Sequence, residues 1–279
     1  MLTRATGESS LAVPPRFSGE FVTRLLLAAA ILVVLASDAA TMGMSPQRLM
    51  DSIPKLLRFL AGMFPPDFSD WAMIVRATWT TLRIAVLGAA AGLVLSCGMS
   101  VLASRSQSPS VWVCRLLRSL LSGVRTIPEL IWAILFVIAV GLGPLAGILA
   151  ITFDTLGFAG RFFADALDDA PQAPQEALRS FGASRLQVLF AAVLPEALPA
   201  LIGIALHSLE RAIRASVILG VVGAGGIGIE LMVAIKLFEY QRSLAIILSI
   251  LVVVIAVETV SSLLRRQVQQ TVAGRHRVS

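Results

Sequence analysis

The sequence predicts an all-α protein that crosses a membrane several times. Of its residues 57% are hydrophobic and only 14% are charged, whereas a soluble domain would carry about 25% charged residues. The mean hydropathy is +0.85. Apolar runs of about 20 residues, long enough to cross a bilayer as helices, recur along the chain. The ten-residue alternation of a membrane β-barrel is missing, which favours a helical protein.

Six spans are predicted from these runs. They cover residues 23–41, 72–103, 112–141, 144–166, 195–221 and 240–264. The turn sequence Gly141-Leu142-Gly143-Pro144 separates the third span from the fourth. Pro195 begins the fifth, because its missing N–H costs nothing in the first turn of a helix. The N-terminus resembles a signal peptide, but no clean small-residue cleavage site follows Ala36, so we predict an uncleaved first span.

The charges between the spans predict the orientation. With both termini inside, thirteen arginines lie in cytoplasmic segments and six basic residues lie outside. Basic residues favour the cytoplasmic side, which predicts an N-in/C-in topology in contact with membrane lipid. The net charge of +6 is explained by these loops, so no nucleic-acid partner is predicted. The outer loop 42–71 contains an amphipathic stretch, Leu49–Phe64, predicted to form a helix at the membrane interface.

A short polar stretch, EALRSFGASRLQVLFAAVLP at residues 176–195, interrupts the apolar pattern. The sequence predicts one amphipathic helix over residues 174–190, on the cytoplasmic side. Gly182 lies on its apolar face and costs about 1 kcal/mol of helix stability. That position suits a surface that another molecule approaches closely. The apolar face is formed by Leu178, Gly182, Leu186 and Leu189.

The same stretch carries the cytoplasmic signature of ABC importer permeases, which is Glu-Ala-Ala, three residues, Gly, nine residues and Ile-x-Leu-Pro. Here it reads Glu176-Ala177-Leu178, Gly182 and Ala192-Val193-Leu194-Pro195, with every spacing kept. The chain resembles these permeases, and the resemblance implies a type I ABC importer permease fold. In that family this helix couples the permease to its ATPase. The coupling residues so implied are Glu176, Ala177, Arg179, Gly182, Arg185 and Pro195.

Two more stretches are similar to phosphonate ABC transporter permeases. One is RTIPELIWAILF at residues 125–136, and the other is ERAIRASVILGVVGAGGIG at residues 210–228. The resemblance implies an importer permease for phosphonates. It leaves open another small anion or solute, such as phosphite, a phosphate ester or a methionine-like molecule. One departure from the family pattern is Asp154, an acid where a neutral residue or histidine is expected.

The resemblance also implies an organisation and an assembly. Residues 1–71 form an N-terminal tail, a first span and an external loop, residues 72–268 the permease core, and residues 269–279 a basic cytoplasmic tail. The implied complex lies in a bacterial inner membrane. It contains a homodimer of this permease, two ATPase subunits and a periplasmic or extracellular substrate-binding protein. The chain has no Walker A sequence, so ATP hydrolysis is expected in the partner and this chain is not predicted to be an enzyme.

Other classes of protein are less well supported by the residues. A membrane-embedded enzyme acting on lipid would need a nucleophile or metal cluster at one membrane face. The two histidines, His207 and His276, are far apart, and the two cysteines, Cys97 and Cys114, lie in or beside apolar runs. We therefore predict neither a metal nor a cofactor. A secondary transporter usually shows inverted repeats, and no internal symmetry is found.

Ionisable residues within spans are functional candidates, because charge in a bilayer is costly. Arginine binds phosphonate oxygens with two parallel hydrogen bonds and stays protonated. Glu210 is expected to hold Arg214 one turn away, although a structural pair across a dimer is an equal alternative. Arg125 and Glu129 form a second such pair across Pro128, which is expected to kink the third span. The candidate path residues are Arg125, Glu129, His207, Glu210, Arg211 and Arg214.

The sequence GAGGIG at residues 223–228 matches a dinucleotide-binding pattern by its letters alone. It follows a membrane helix rather than a strand, so that interpretation is rejected. Glycines at this point would allow close approach between spans. In the family that the chain resembles, the loop helps to close the outer gate. The gate residues so implied are Gly223, Gly225, Gly226 and Gly228.

Overall fold

The computed structural model describes residues 19–43 and 45–275, and it divides into two units, Met1–Ala61 and Gly62–Ser279. Two helices come first in the chain, α1 (Gly19–Thr41) and α2 (Pro46–Gly62). The first predicted span lies within α1, and α2 contains most of the predicted amphipathic stretch. The membrane crossing of α1 and the interfacial position of α2 remain predictions. The N-terminal tail before Gly19 and the last four residues of the basic tail lie outside the described residues.

The second unit is built from helices joined by short turns. Wide, π-helical turns at Leu189–Val193 and Gly220–Ala224 continue the helical chain before and after its ninth helix. Pro195 lies in the first turn of that helix, as predicted, but the chain is already helical before it. The helices are α3 (Trp71–Ala103), α4 (Val111–Thr126), α5 (Glu129–Val140), α6 (Pro144–Asp168), α7 (Gln172–Ser180), α8 (Arg185–Val188), α9 (Leu194–Leu219), α10 (Ile227–Lys236) and α11 (Tyr240–Arg275).

Four helical stretches of the described residues are long and apolar enough to cross a membrane. These are Trp71–Ala103, Pro144–Asp168, Arg185–Ala224 and Tyr240–Arg265. They correspond to the second, fourth, fifth and sixth predicted spans, which are therefore confirmed as helices of membrane-crossing length. The total of six spans and the N-in/C-in orientation remain predictions.

The third span predicted over residues 112–141 consists of two helices, and whether the pair forms one span remains a prediction. α4 ends at Thr126, α5 begins at Glu129, and their axes differ by 89°. The cause is Pro128, which lacks an N–H and disfavours the helical conformation of the residue before it. Ile127 is accordingly extended, with φ −81° and ψ 119°. The predicted kink at Pro128 is confirmed, but it is a complete break between two helices.

The core of the second unit is the contact between α3 and α6. A Cβ atom at Gly88 would lie 2.7 Å from Cβ of Ile151, and a Cβ atom at Gly92 would lie 2.6 Å from Cβ of Thr155. Two glycines one turn apart thus bring the backbones of the two helices together. In a bilayer, helix association depends on such close packing of small residues, because lipid and apolar side chains are equally apolar.

This contact predicts that Gly92→Val destabilises the folded protein. The new side chain would overlap Thr155 and the carbonyl oxygen of Thr152, which lies 2.8 Å from the position of the Cβ atom. Overpacking of this kind costs about 1–3 kcal/mol. Thermal unfolding in detergent measures the loss, and Gly98→Val is the matched control because nothing lies within 4 Å of its Cβ position on the same helix. Equal stability of the two variants would contradict the tight α3–α6 contact.

Candidate functional site

The predicted coupling helix over residues 174–190 is two short helices joined by a turn, so the single continuous helix is wrong. α7 ends at Ser180, and Gly182 adopts a left-handed conformation with φ +79°. Glycine tolerates this conformation without steric cost and commonly ends a helix this way. Ser184 then caps α8, because its backbone N–H donates to Gln187 Oε1 at 2.7 Å and its hydroxyl accepts from the Gln187 N–H.

The turn also divides the apolar face that was predicted for this helix. Leu178 and Leu189 pack inward, against a buried cluster that contains Leu167, Val188 and Val193. The exposed apolar residues are Phe181, Leu186 and Phe190, and Phe181 is 89% exposed. Large exposed apolar groups are typical of a surface that binds another protein. The other predicted coupling residues are exposed in the same segment or just after it: Glu176, Ala177, Arg179, Arg185 and Pro195.

Asp168, at the end of α6, is hydrogen-bonded to the loop between α3 and α4. Its carboxylate accepts hydrogen bonds from the Ser104 hydroxyl at 2.7 Å and from the backbone N–H groups of Arg105 and Ser106 at 3.1 Å each. It also forms a salt bridge with Arg118 of α4. Asp168 was not predicted from the sequence. Its one available signal was an acid at the end of an apolar span opposite arginine-bearing loops.

Two further contacts connect the same loop to α7 and α8. The Gln107 side chain donates to Gln175 Oε1 at 3.4 Å, and both side chains are buried. Arg185 donates to the carbonyl oxygen of Ser108 at 3.0 Å. A displacement of α7 and α8 would therefore be passed to the loop 104–110 and to α3, which precedes it.

An ion pair between a half-buried arginine and a buried aspartate joins α6 to α9. Arg211 donates from one nitrogen to both carboxylate oxygens of Asp154, at 2.7 and 2.9 Å, and Asp154 is only 8% exposed. A buried charge requires a partner, because desolvation is costly. The acid that departs from the family pattern is thus the counter-ion of a predicted path residue.

Two phenylalanines one turn apart on α6 gather three of the predicted path residues. The Arg211 guanidinium lies 4.6 Å from the Phe158 ring centroid, and Arg125 lies 4.8 Å from that of Phe162. The His207 ring centroid is 5.6 Å from that of Phe158. Cations over aromatic faces are attracted by the ring quadrupole. We call these five residues the arginine–phenylalanine cluster; sequence reasoning missed both rings, although their spacing places them on one helix face.

The predicted pair of Glu210 with Arg214 is wrong. Glu210, which is 5% exposed, binds Arg265 of α11 at 2.7 Å and lies 3.5 Å from Nδ1 of His207. Arg214 binds Glu258 of α11 at 3.0 Å. Pairs within one helix are weak, about 0.5 kcal/mol, and α11 brings opposite charges closer. These contacts hold α9 against α11.

The predicted pair of Arg125 with Glu129 is also wrong. The two residues lie on separate helices, because the break at Pro128 removes the regular spacing that would bring them together. Arg125 lies on the phenylalanine rings instead. Glu129 is the first residue of α5, where a negative charge is favoured by the helix dipole.

Exchanging the charges of the Arg214–Glu258 pair tests whether the pair only stabilises the fold or also contacts the transported molecule. Arg214→Glu alone is expected to destabilise the protein by about 1 kcal/mol or less, since the two side chains are 41% and 54% exposed. The double variant Arg214→Glu/Glu258→Arg is expected to recover stability and uptake together. Thermal unfolding and uptake are the measurements. A double variant that is stable but inactive would place Arg214 in contact with the transported molecule.

The glycine block between α9 and α10 forms a tight reversal. Gly223, Gly225 and Gly226 have φ of +96°, +93° and +78°, values that glycine adopts without strain. The carbonyl of Gly223 accepts a hydrogen bond from the Gly143 N–H at 3.0 Å. A Cβ atom at Gly228 would lie 2.8 Å from Cα of Gly220. The predicted close approach of backbones is confirmed, and it joins this loop to the turn before α6.

Comparison with known proteins shows the family to which this chain belongs. Residues 92–273 match the family described as binding-protein-dependent transport system inner membrane component. This chain belongs to that family. The permease is thus a membrane-embedded transport subunit of the inner membrane and not an enzyme. Its family works with an ATPase and a substrate-binding protein. Among the described residues, no three His, Cys, Asp or Glu side chains are grouped to hold a metal ion.

Two curated relatives are transport permeases of similar sequence. The permease is 39% identical over 218 residues to the phosphite transport system permease protein PtxC of Stutzerimonas stutzeri, covering 78% of this chain and 79% of the relative. It is 39% identical over 204 residues to the phosphate-import permease protein PhnE of Mycolicibacterium smegmatis, covering 73% of this chain and 38% of the relative.

A solved structure shares the fold. A chain of the MetNI methionine ABC transporter, in an inward-facing conformation, matches with a TM-score of 0.62 and 23% identity. The match covers 72% of the permease and 99% of that chain. The type I importer permease fold predicted from the sequence is therefore confirmed.

Proposed function

We propose that the permease imports a phosphonate or phosphite as a homodimer, with two ATPase subunits and a secreted binding protein. The fold and family support an importer, and relatives named for phosphite and phosphate import support a small oxyanion of phosphorus. The observation that carries the proposal is the arginine–phenylalanine cluster, which brings two arginines and a histidine from α4 and α9 together around two rings of α6.

The cluster suits an anion that must pass rather than remain bound. Arg211 is partly neutralised by Asp154, while Arg125 rests on aromatic rings. Each subunit therefore offers a modest positive field, and a homodimer would present two. A transport path needs attraction strong enough for entry and weak enough for release. Arg125, His207 and Arg211 are the proposed anion contacts, with Glu129 beside them. Glu210 and Arg214 support the path through their pairs with α11.

The coupling segment, residues 174–190, is proposed to receive the ATPase through Phe181 and its neighbours. Closure of the two ATPases would displace α7 and α8, and Asp168, Gln175 and Arg185 would pass the motion to the spans. The proposed N-in/C-in topology puts this segment in the cytoplasm. The glycine reversal at residues 223–228 lies at the opposite end of α9 and is the proposed outer gate.

The substrate class is tested through the binding protein that delivers it. The experiment is to purify the secreted binding protein encoded beside the permease gene. Calorimetry then measures its binding of 2-aminoethylphosphonate, methylphosphonate, phosphite, phosphate and methionine. Tight binding of a phosphonate or phosphite is expected. Tight binding of methionine would contradict the substrate class, and so would a failure to bind any of the phosphorus oxyanions. Neither result would contradict the importer architecture.

The topology is tested separately. A C-terminal tag on the full chain should be protected from a membrane-impermeant label in intact cells and react after lysis. An odd number of spans would give the opposite result. Labelling of the tag from outside would overturn both the six-span count and the cytoplasmic position of the coupling segment.

A further inference from the structure

A second basic site lies away from the arginine–phenylalanine cluster, beside the coupling segment. A cavity of about 760 Å³ opens between the loop 104–110, the start of α4 and α8. Its lining contains four arginines and three serines and includes no carboxylate. We call this cavity the arginine pocket; it is lined by Arg105, Ser110, Arg115, Arg118, Ser119 and Arg185.

Most of the positive charge in the arginine pocket is not neutralised. Arg118 forms salt bridges with Asp165, at 3.2 Å, and with Asp168. Within the described part of the chain, the other three arginines have no acidic partner. Arg185 donates only to the Ser108 carbonyl, Arg115 lies over the Trp112 ring at 5.8 Å, and Arg105 is exposed. Arginines arranged in this way bind phosphate oxygens through charge-assisted hydrogen bonds.

The neighbouring surface indicates the source of the phosphate group. Trp112 is 78% exposed on α4, next to Arg115, and Val111 and Leu116 beside it are exposed as well. Tryptophan together with arginine is typical of the membrane–water interface, with the ring among lipid chains and the guanidinium among headgroups. A basic pocket bordered by an exposed apolar helix face therefore matches one molecule with a phosphate at one end and acyl chains at the other.

We propose that the arginine pocket binds the headgroup of an anionic phospholipid, whose acyl chains lie along α4. The proposed topology puts it in the cytoplasmic leaflet, where anionic lipids attract clusters of basic residues. Arg185 links the pocket to the coupling segment, so a bound headgroup would fix the position of α8 relative to the loop 104–110. The assignment does not depend on the transported substrate.

Native mass spectrometry of the full-length, delipidated permease tests the site. Dioleoylphosphatidylglycerol and dioleoylphosphatidylcholine, which have identical chains, are added to wild type and to Arg105→Gln/Arg115→Gln/Arg185→Gln. Wild type is expected to retain phosphatidylglycerol preferentially, and the triple variant to lose at least about tenfold in that preference. The matched control Arg76→Gln/Arg179→Gln/Lys236→Gln removes the same charge from exposed positions elsewhere and is expected to keep the preference.

Three results would overturn the proposal. One is the absence of a headgroup preference in wild type, and another is an equal loss in both triple variants. The third is displacement of phosphatidylglycerol by millimolar inorganic phosphate, which would identify a soluble-anion site. If the triple variant fails to fold, Arg115→Gln alone is compared with Arg76→Gln, with a loss of about threefold expected. Because the test uses the permease alone, its failure would leave the import proposal untouched.

Discussion

Arg211→Ala is expected to reduce uptake by about a hundredfold or more, which corresponds to about 2.7 kcal/mol. The substitution removes a proposed anion contact and leaves the Asp154 carboxylate buried without its partner. Loss of one member of a buried pair typically costs about 3–5 kcal/mol of stability. Uptake of labelled phosphonate, in cells that also express the ATPase and binding protein, measures the first effect. The amount of folded protein in the membrane measures the second.

A double variant separates these two effects. Asp154→Asn/Arg211→Gln removes both charges and keeps two groups able to share a hydrogen bond. Its folded yield should return towards that of wild type while uptake stays low, because the anion contact is still missing. Recovery of uptake in the double variant would show that Arg211 acts only through Asp154. Arg125→Gln provides a second check, since it removes a proposed anion contact without leaving a buried acid unpaired.

Phe181→Ala is expected to abolish coupled transport while leaving the isolated permease as stable as wild type. Phe181 is 89% exposed, so its removal costs little within this chain. Buried aromatic residues at protein interfaces commonly contribute about 2 kcal/mol or more to binding. Co-purification of the ATPase with the permease measures the contact, and substrate-stimulated ATP hydrolysis in proteoliposomes measures its consequence.

Phe238→Ala is the matched control for the coupling surface. Phe238 is 73% exposed, and it lies after α10, in the segment that the proposed topology puts outside. Its removal should leave ATPase association unchanged. A wild-type level of association in Phe181→Ala would contradict the docking role. Gly182→Asp examines the same turn through its backbone, since a side chain at φ +79° is strained although open space surrounds it.

Much of the architecture follows from local patterns along the chain. Apolar runs predict the four confirmed helices of membrane-crossing length, because every backbone polar group in lipid must be satisfied within a helix. Pro128 indicates a kink because the absence of its N–H is a local property. The spacing from Glu176 to Pro195 identifies the importer family without any knowledge of tertiary contacts. These features depend on residues close to one another in sequence.

Local patterns along the chain could not predict which acidic and basic side chains form pairs. Spacing within one helix pairs Glu210 with Arg214, but packing of α11 against α9 pairs Glu210 with Arg265 and Arg214 with Glu258. An isolated acid in a span, Asp154, is visible in the sequence, whereas its partner lies 57 residues away. Periodicity determines which residues share a helix face. It contains no information on which other helix meets that face.

The amino-acid sequence alone predicts a helical importer permease that carries the coupling signature of its family. Tertiary packing determines where that signature exposes apolar surface. Leu178 and Leu186 would share one face of a continuous helix, yet Leu178 packs inward and Leu186 is exposed, because the turn at Gly182 separates α7 from α8. The arginine–phenylalanine cluster and the arginine pocket likewise exist because helices distant in sequence pack together. Contacts between those helices determine which charged side chains are buried and which remain available to bind another molecule.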